Sequence, residues 1–268
     1  MTDNNYIPDD NNPVFDEYWK KRHTVRNFLP RDISDDLLLD LIDKASKAPT
    51  TGGMQLYSII ITRNEETLKN LAYQHFNQPA ATGAPIMLTI VADFNRFEHW
   101  CRLRRAKPGF NNFESFVAAL LDAVIFAQQL NTLLELSGIG VCYLGTTTYN
   151  ASKIGDILNL PQLTVPVVTL AIGYPDNNCM TGDAERIDTD SIIHHEVYHQ
   201  YSDVEIDQIF AGKEALEQNK KYVTENHVPT LAHVFTDIRY PEEAARIFSQ
   251  DFYNYIERQG FHFPDIKR

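Results

Sequence analysis

Near its start the chain places two guanidinium groups, an imidazole and a hydroxyl within five residues, Arg22-His23-Thr24-Val25-Arg26. Arginine stays charged at any working pH and presents forked donors, so this cluster can hold an anion; a solvated surface turn is the alternative use of the same residues. Farther on, Ala48-Pro49-Thr50-Thr51-Gly52-Gly53-Met54-Gln55 offers two hydroxyls and a glycine pair that lets a ligand approach the backbone. A third stretch, Gly140-Val141-Cys142-Tyr143-Leu144-Gly145-Thr146-Thr147, runs from apolar residues into a turn whose amides are free to face a ligand. Any one of these suits an ordinary turn. Together they suit a flat aromatic ligand that carries a phosphate.

Two other patterns compete for attention. His195-Glu196-Val197-Tyr198-His199 matches H-E-x-x-H, in which two histidines one helical turn apart hold zinc beside a glutamate base. The match fixes three positions in a chain with nine histidines and falls in a stretch without a helical pattern. His227 and His233 are candidates for a third ligand by residue type alone, so a zinc metalloprotease stands as an alternative with its site at His195, Glu196 and His199. Gly138, Gly140 and Gly145 imitate a dinucleotide loop, but Tyr143 occupies the third glycine position and the stretch follows a long helical pattern rather than a strand. No Gly-Lys-Ser/Thr phosphate loop occurs.

The chain has 268 residues, 43% of them hydrophobic, enough for a buried core. Its net charge of -12, from 36 acidic and 24 basic residues, excludes a general nucleic-acid binder, which needs clustered positive charge. Cys101, Cys142 and Cys179 form neither a CxxC pair nor an even framework, which points to a reducing, cytoplasmic setting. Residues 1–13 are acidic, carry no export pattern and are expected to be disordered. The apolar run 116–127 contains Asp122 and falls short of the about 20 residues that cross a bilayer, so no membrane partner is expected.

The elements that must position these groups show in the periodicity. Ser34, followed by Asp35 and Asp36, is an N-cap for a helix ending before Pro49. Residues 56–62 and Ile86–Asp93 predict strands, and Glu65–Gln74 a helix. Residues 113–137 are apolar nearly all round, which predicts a helix needing cover from several neighbours. Strands at 140–146 and 165–175 flank a short helix at 151–159. After Asp176 a polar stretch leads to helical patterns at 204–225 and 241–259 with no strand between. Interleaved strands and helices make the fold α+β or α/β.

Taken in order, the three segments resemble the FMN-dependent nitroreductases, with their early R-x-S-x-R-x-F, their A-P-S-S-x-N-x-Q loop, and a G-x-G-x-x-x-x-G strand before G-Y-P. Here these are Arg22 to Phe28, Ala48 to Gln55, Gly138 to Gly145 and Gly173-Tyr174-Pro175. The stretches around Asp93-Phe94-Asn95-Arg96, His195-Glu196 with Tyr198, and Tyr255-Ile256-Glu257-Arg258 resemble the NADPH nitroreductase and flavin reductase branch, and the likeness runs over residues 17–261. It implies an α+β, three-layer α/β/α fold with a mixed central sheet, a long buried dimer helix, and a single domain over 14–268 that includes a helical excursion at about 176–268. It further implies FMN as cofactor and NADPH or NADH as donor. Hydride would pass through flavin N5 to a small aromatic, nitroaromatic, quinone or flavin acceptor in a ping-pong cycle, with no catalytic side chain needed.

By the same resemblance Arg22, His23 and Thr24 lie along the phosphate and ribityl chain and Arg26 near the pyrimidine end, where positive charge favours reduction. Thr51, Gly52, Gly53, Met54 and Gln55 touch the ring from the second loop, and Tyr143, Leu144, Gly145 and Thr146 run past it. The family's late Lys-x-Arg phosphate clamp is Ala184-Glu185-Arg186 here, leaving Arg186. The family's loop asparagine is Gly53, and Thr146 replaces the second of two glycines. Lys213, Lys220 and Lys221 are candidates for a nicotinamide 2′-phosphate or for a solvated helix face. A homodimer with FMN at the interface is implied, and a flavin-binding protein without turnover is the remaining alternative.

Overall fold

The computed structural model describes residues 13–176 and 185–263, the first three as backbone only. The chain divides into two compact units, Met1–Gly182 with Asp251–Arg268, and Asp183–Gln250. The expectation of disorder at residues 1–13 falls almost wholly outside the described residues, as do Cys179 and Ala184.

The first unit is built on a four-stranded sheet in the order β1-β2-β4-β3, formed by β1 (Tyr57–Thr62), β2 (Ile86–Asp93), β3 (Gly140–Leu144) and β4 (Thr164–Gly173). All three strand pairings are antiparallel, where the resemblance implies a mixed sheet. The two central strands, β2 and β4, are buried along their whole length, which is why both are continuous apolar runs rather than alternating ones. One face of the sheet packs on α2 (Asp35–Ala45) and α6 (Phe113–Leu136) through Leu38, Leu41, Phe126 and Leu130 against Leu88, Ile90 and Leu170. The other face packs on α3 (Glu65–Gln74), α4 (Pro79–Gly83) and α7 (Ala151–Ile157) through Leu71, Ala80 and Ile154 against Met87 and Ala171. The result is the expected three layers and an α+β fold.

The cap at Ser34 is real, its side chain accepting from the Leu37 amide, and Asn64 and Asn112 cap α3 and α6 in the same way. Two helices, α1 (Pro13–Lys21) and α5 (Asn95–Leu103), carried no periodic signal strong enough to be expected. α6 spans 24 residues and is long and apolar enough to cross a membrane by length and composition, longer than the run 116–127 had suggested. Here it serves as the core helix of the first unit, with Phe126, Ala127, Leu130 and Leu134 fully buried.

The second unit is helical. The stretch expected as one helix over 204–225 is two, α8 (Asp203–Ala215) and α9 (Glu217–Glu225), broken where Leu216 turns extended. A single turn, α10 (Leu231–His233), continues as a π-helical turn, Val234–Arg239. α11 (Glu242–Arg258) then carries the chain back, its residues from Asp251 onward belonging to the first unit.

Candidate active site

The first segment lies alongside the sheet. Val25 donates its amide to Val141 at 3.2 Å, Leu29 donates to Tyr174 at 2.8 Å, and Phe28 bridges Pro175. The approach requires Gly140, since a Cβ there would sit 2.7 Å from the Val25 side chain. With Val25 buried as the anchor, the polar residues on either side are left partly or fully exposed. The Arg22 Nε is 3.5 Å from a carboxylate oxygen of Glu135, and the Tyr18 hydroxyl donates to the other oxygen at 2.6 Å. Burial first, then the bond to Glu135, pushes the Tyr18 phenol up to about 12, so it stays a donor. His23 donates from Nδ1 to the Lys21 carbonyl at 2.8 Å. Arg26 is exposed and, like Thr24, makes no hydrogen bond or ion pair among the described residues, although its charge acts on the Cys142 thiol. A cavity of about 320 Å³ takes His23, Tyr18 and Glu135 into its lining, with Gly140 from the start of the third segment and no residue of the second.

The second segment is a tight turn at Thr51–Gly53, with Gly52 and Gly53 at φ of 55° and 68°. Gln55 also has a positive φ, 50°, a conformation that costs a non-glycine residue about 1 kcal/mol and needs support. Support comes from beneath. Asp122 of α6 accepts from the Thr51 amide and hydroxyl, both at 2.8 Å, and its second oxygen accepts from the Leu56 amide at 3.1 Å. Arg96 of α5 donates to the Gln55 and Tyr57 carbonyls and to the Ser58 hydroxyl. Met54 packs against the core, while the space beside Gly53 is open, a Cβ there meeting nothing within 4 Å.

The third segment ends β3, an edge strand, and differs from the expected strand over 140–146. Gly145–Thr147 closes into a single 3-10 turn, with the Thr147 hydroxyl donating to the Leu144 carbonyl at 2.8 Å. The Leu144 side chain is core, so of the four residues predicted here Leu144 can offer a ligand only its backbone. Tyr143 is half-buried, its hydroxyl donating to Gln128 at 3.4 Å, and burial holds its phenol well above the ordinary range. Gly145 is exposed and faces open space. Thr146 shares its hydroxyl with His75 at 2.9 Å and Gln78 at 3.3 Å.

Helix α6 fastens all three. Asp122 holds Thr51, Gln128 holds Tyr143 and Glu135 holds Arg22. From Asp122 to Glu135 the helix rises about 20 Å along one axis. Sequence reasoning missed Asp122, Gln128 and Glu135 as organisers; Asp122 breaks the apolar run 116–127, while Gln128 and Glu135 sit among other polar residues of α6 and carry no such mark. It also missed Arg96, His75 and Gln78, which nothing in the local pattern marks.

Arg186 belongs to the second unit, where it is exposed and donates to the Glu185 carbonyl at 2.7 Å. The H-E-x-x-H reading fails on geometry. Residues 195–199 form no helix, Glu196 has φ 62°, and so the two histidines are not stacked one turn apart. His199 pairs instead with Glu205 at 3.0 Å, in the capping box that Ser202 and Glu205 build at the start of α8. Hydrogen bonds from Ser202 and then His199 hold the Glu205 carboxyl at about 2.

The nitroreductase family profile matches residues 19–174. An NADPH-dependent oxidoreductase of Staphylococcus aureus (strain USA300) is 28% identical over 184 residues, 67% of this chain and 72% of that protein. A candidate oxidoreductase from Bacteroides fragilis NCTC 9343 superposes with a TM-score of 0.89 at 43% identity, over 91% of this chain and 99% of its own. The NADPH:FMN oxidoreductase from Vibrio harveyi, solved with NAD+, shares the fold at a TM-score of 0.71 and 19% identity, over 95% of this chain and all of its own. With the match running from the end of α1 through the turn after β4 and taking in all three segments fastened to α6, the chain belongs to the nitroreductase family and is an oxidoreductase.

Proposed function

We propose that this protein is an NAD(P)H-dependent flavoenzyme that binds FMN across the three segments. The observation that carries the reading is the common fastening of these segments to α6, beside which the Arg26 guanidinium and the Thr24 hydroxyl make no hydrogen bond or ion pair among the described residues and the space by Gly53 and Gly145 is open. That donor set fits a phosphate-bearing flat ring: cations and a hydroxyl at one end, and backbone with no side chain in the way along the rest. The chemistry FMN supplies when bound is hydride transfer at N5, from a reduced nicotinamide and then to a nitroaromatic, quinone or flavin acceptor, by a ping-pong mechanism.

The chain's own task is binding and orientation. Arg22, steered by Glu135, with His23 and Thr24, would meet the phosphate and ribityl chain, and Arg26 would place positive charge where reduction adds electrons. Thr51, Gly52, Gly53, Met54 and Gln55 would meet the ring from one side, and Tyr143, Gly145 and Thr146 from the other. The names of the S. aureus and V. harveyi relatives support a nicotinamide donor and FMN.

Two surfaces support a homodimer. On α6, Leu121, Val124 and Ile125 form an apolar stripe at one-turn spacing and are 54%, 41% and 41% exposed. The second unit exposes Val204, Ile206, Phe210 and Leu216, and among its described hydrophobic residues only Leu231 and Val234 are buried. A unit with so little core of its own needs cover, and a second copy supplies it. Cys101 and Cys142 are buried free thiols, in keeping with a reducing cytoplasm.

The test is a visible absorption spectrum of the purified protein with FMN, before and after anaerobic addition of NADPH. Flavin bands that co-purify and bleach are the expected result. Bands that persist with both NADPH and NADH would overturn turnover in favour of a flavin-binding protein, and a protein that takes up no FMN would overturn the reading altogether.

A further inference from the structure

We propose that the Thr146 hydroxyl is a dedicated hydrogen-bond donor to the ligand of this site, its proton turned outward by His75 and Gln78. The inference rests on the flavin reading above and adds to it a residue for which the family resemblance supplies only a glycine. The side chain at position 146, and what holds it, belong to this chain.

Thr146 sits in the middle of the turn that ends β3 and is half-buried. Its oxygen has two nitrogen neighbours, Nδ1 of His75 at 2.9 Å and Nε2 of Gln78 at 3.3 Å. His75 is fully buried, and its other ring nitrogen, Nε2, is buried with no hydrogen-bond partner among the described residues. Burial holds the ring neutral, with its pKa pushed down to about 4, so near pH 7 only one of the two nitrogens carries a proton. With the proton on Nε2, a buried N–H would have no acceptor; with the proton on Nδ1, the partnerless atom is a bare lone pair. Orphaned buried N–H groups are the rarer of the two in folded proteins, which puts the proton on Nδ1.

His75 therefore donates to Thr146, and so does the Gln78 amide. A hydroxyl oxygen has two acceptor lone pairs, and these two donors fill both. The Thr146 proton must then point away from His75 and Gln78. The neighbouring Gly145 opens onto free space, a Cβ there meeting nothing within 4 Å. A hydroxyl is normally a free rotor that serves as donor or acceptor; this one is left only as a donor and held in direction. It suits an acceptor that gains negative charge during the reaction, as the N5/O4 edge of a flavin does on reduction.

The test compares Thr146→Val, which keeps the branched shape and removes the hydroxyl, with Thr146→Ser, which keeps the hydroxyl. FMN affinity is read by fluorescence titration and the redox midpoint by anaerobic titration against a reference dye, with thermal unfolding as a check on the fold. Thr146→Ser should behave as the parent, while Thr146→Val should bind FMN about tenfold more weakly and show a lower midpoint potential. His75→Leu should move the midpoint in the same direction, and the double variant should be no worse than Thr146→Val. A Thr146→Val protein with parental affinity and midpoint would overturn this inference while leaving the flavin reading intact. A parent protein that takes up no FMN would overturn both.

Discussion

Asp122, 1% exposed in the middle of α6, holds Thr51 by two bonds of 2.8 Å, one from its amide and one from its hydroxyl. With the third bond, from the Leu56 amide, a single carboxylate shapes the whole turn that carries Gly52 and Gly53. Asp122→Ala leaves two backbone donors without their acceptor, that of Leu56 fully buried. It should cost about 3 kcal/mol in urea unfolding and loosen FMN binding, whereas Thr51→Val removes one bond and should cost about 1 kcal/mol. Equal stability of Asp122→Ala and the parent would show that the loop is held by other means.

His75 makes stability depend on pH. Its folded pKa, about 4, lies below the ordinary histidine value of 6.5, so the unfolded chain binds the extra proton first. The contribution is complete above about pH 6.5 and is lost as pH falls toward 4, by up to about 3 kcal/mol. Carboxylates titrate in the same range, so the measurement is the difference between parent and His75→Gln. The variant should show a shallower loss of stability between pH 6.5 and 4.

Gly140 sets how closely the arginine segment approaches the sheet. A methyl group there would overlap the branched Cβ of Val25, which has no rotamer that clears it. Gly140→Ala should destabilise by about 1–3 kcal/mol and push Arg22 away from Glu135, and trimming the neighbour in Gly140→Ala/Val25→Ala should recover part of the loss. A double variant no better than Gly140→Ala would place the strain elsewhere.

The apolar stripe on α6 predicts its own test. Leu121→Glu or Val124→Glu should leave the monomer fold intact, since both side chains are exposed in the single chain. In a dimer each would bury an unpaired charge and weaken association by at least about hundredfold, or roughly 3 kcal/mol. Sedimentation velocity across a concentration series reads this directly; a parent that stays monomeric would remove this face as an interface.

Lys220 and Lys221 of α9 pair with Glu217 at 2.8 Å and Glu225 at 3.6 Å, exposed contacts within one helix that hold the lysines only weakly. If they serve a nicotinamide 2′-phosphate, Lys220→Glu/Lys221→Glu should raise the KM for NADPH much more than for NADH. A parallel change in both would assign them to the solvated face.

Much of the frame was legible in residue order because its signals are local. Ser34 announces α2, since a cap acts within one turn, and the unbroken apolar runs of β2 and β4 announce strands covered on both faces. The three candidate segments could be picked out by residue type and by resemblance. The break at Leu216 could not, since the residues on both sides favour a helix and the turn to extended backbone depends on packing. Nor could the fate of His195-Glu196-Val197-Tyr198-His199, whose spacing means something only on a helix that the chain does not form there. The sequence by itself therefore determined the elements, their caps and the candidate donors, all properties of neighbours along the chain. Only the tertiary structure decided that Asp122, Gln128 and Glu135 each reach a different segment, and that His75 and Gln78 meet at Thr146. Those bonds join residues as many as 113 positions apart, from Arg22 to Glu135, and no local pattern encodes which distant partner a polar side chain will find.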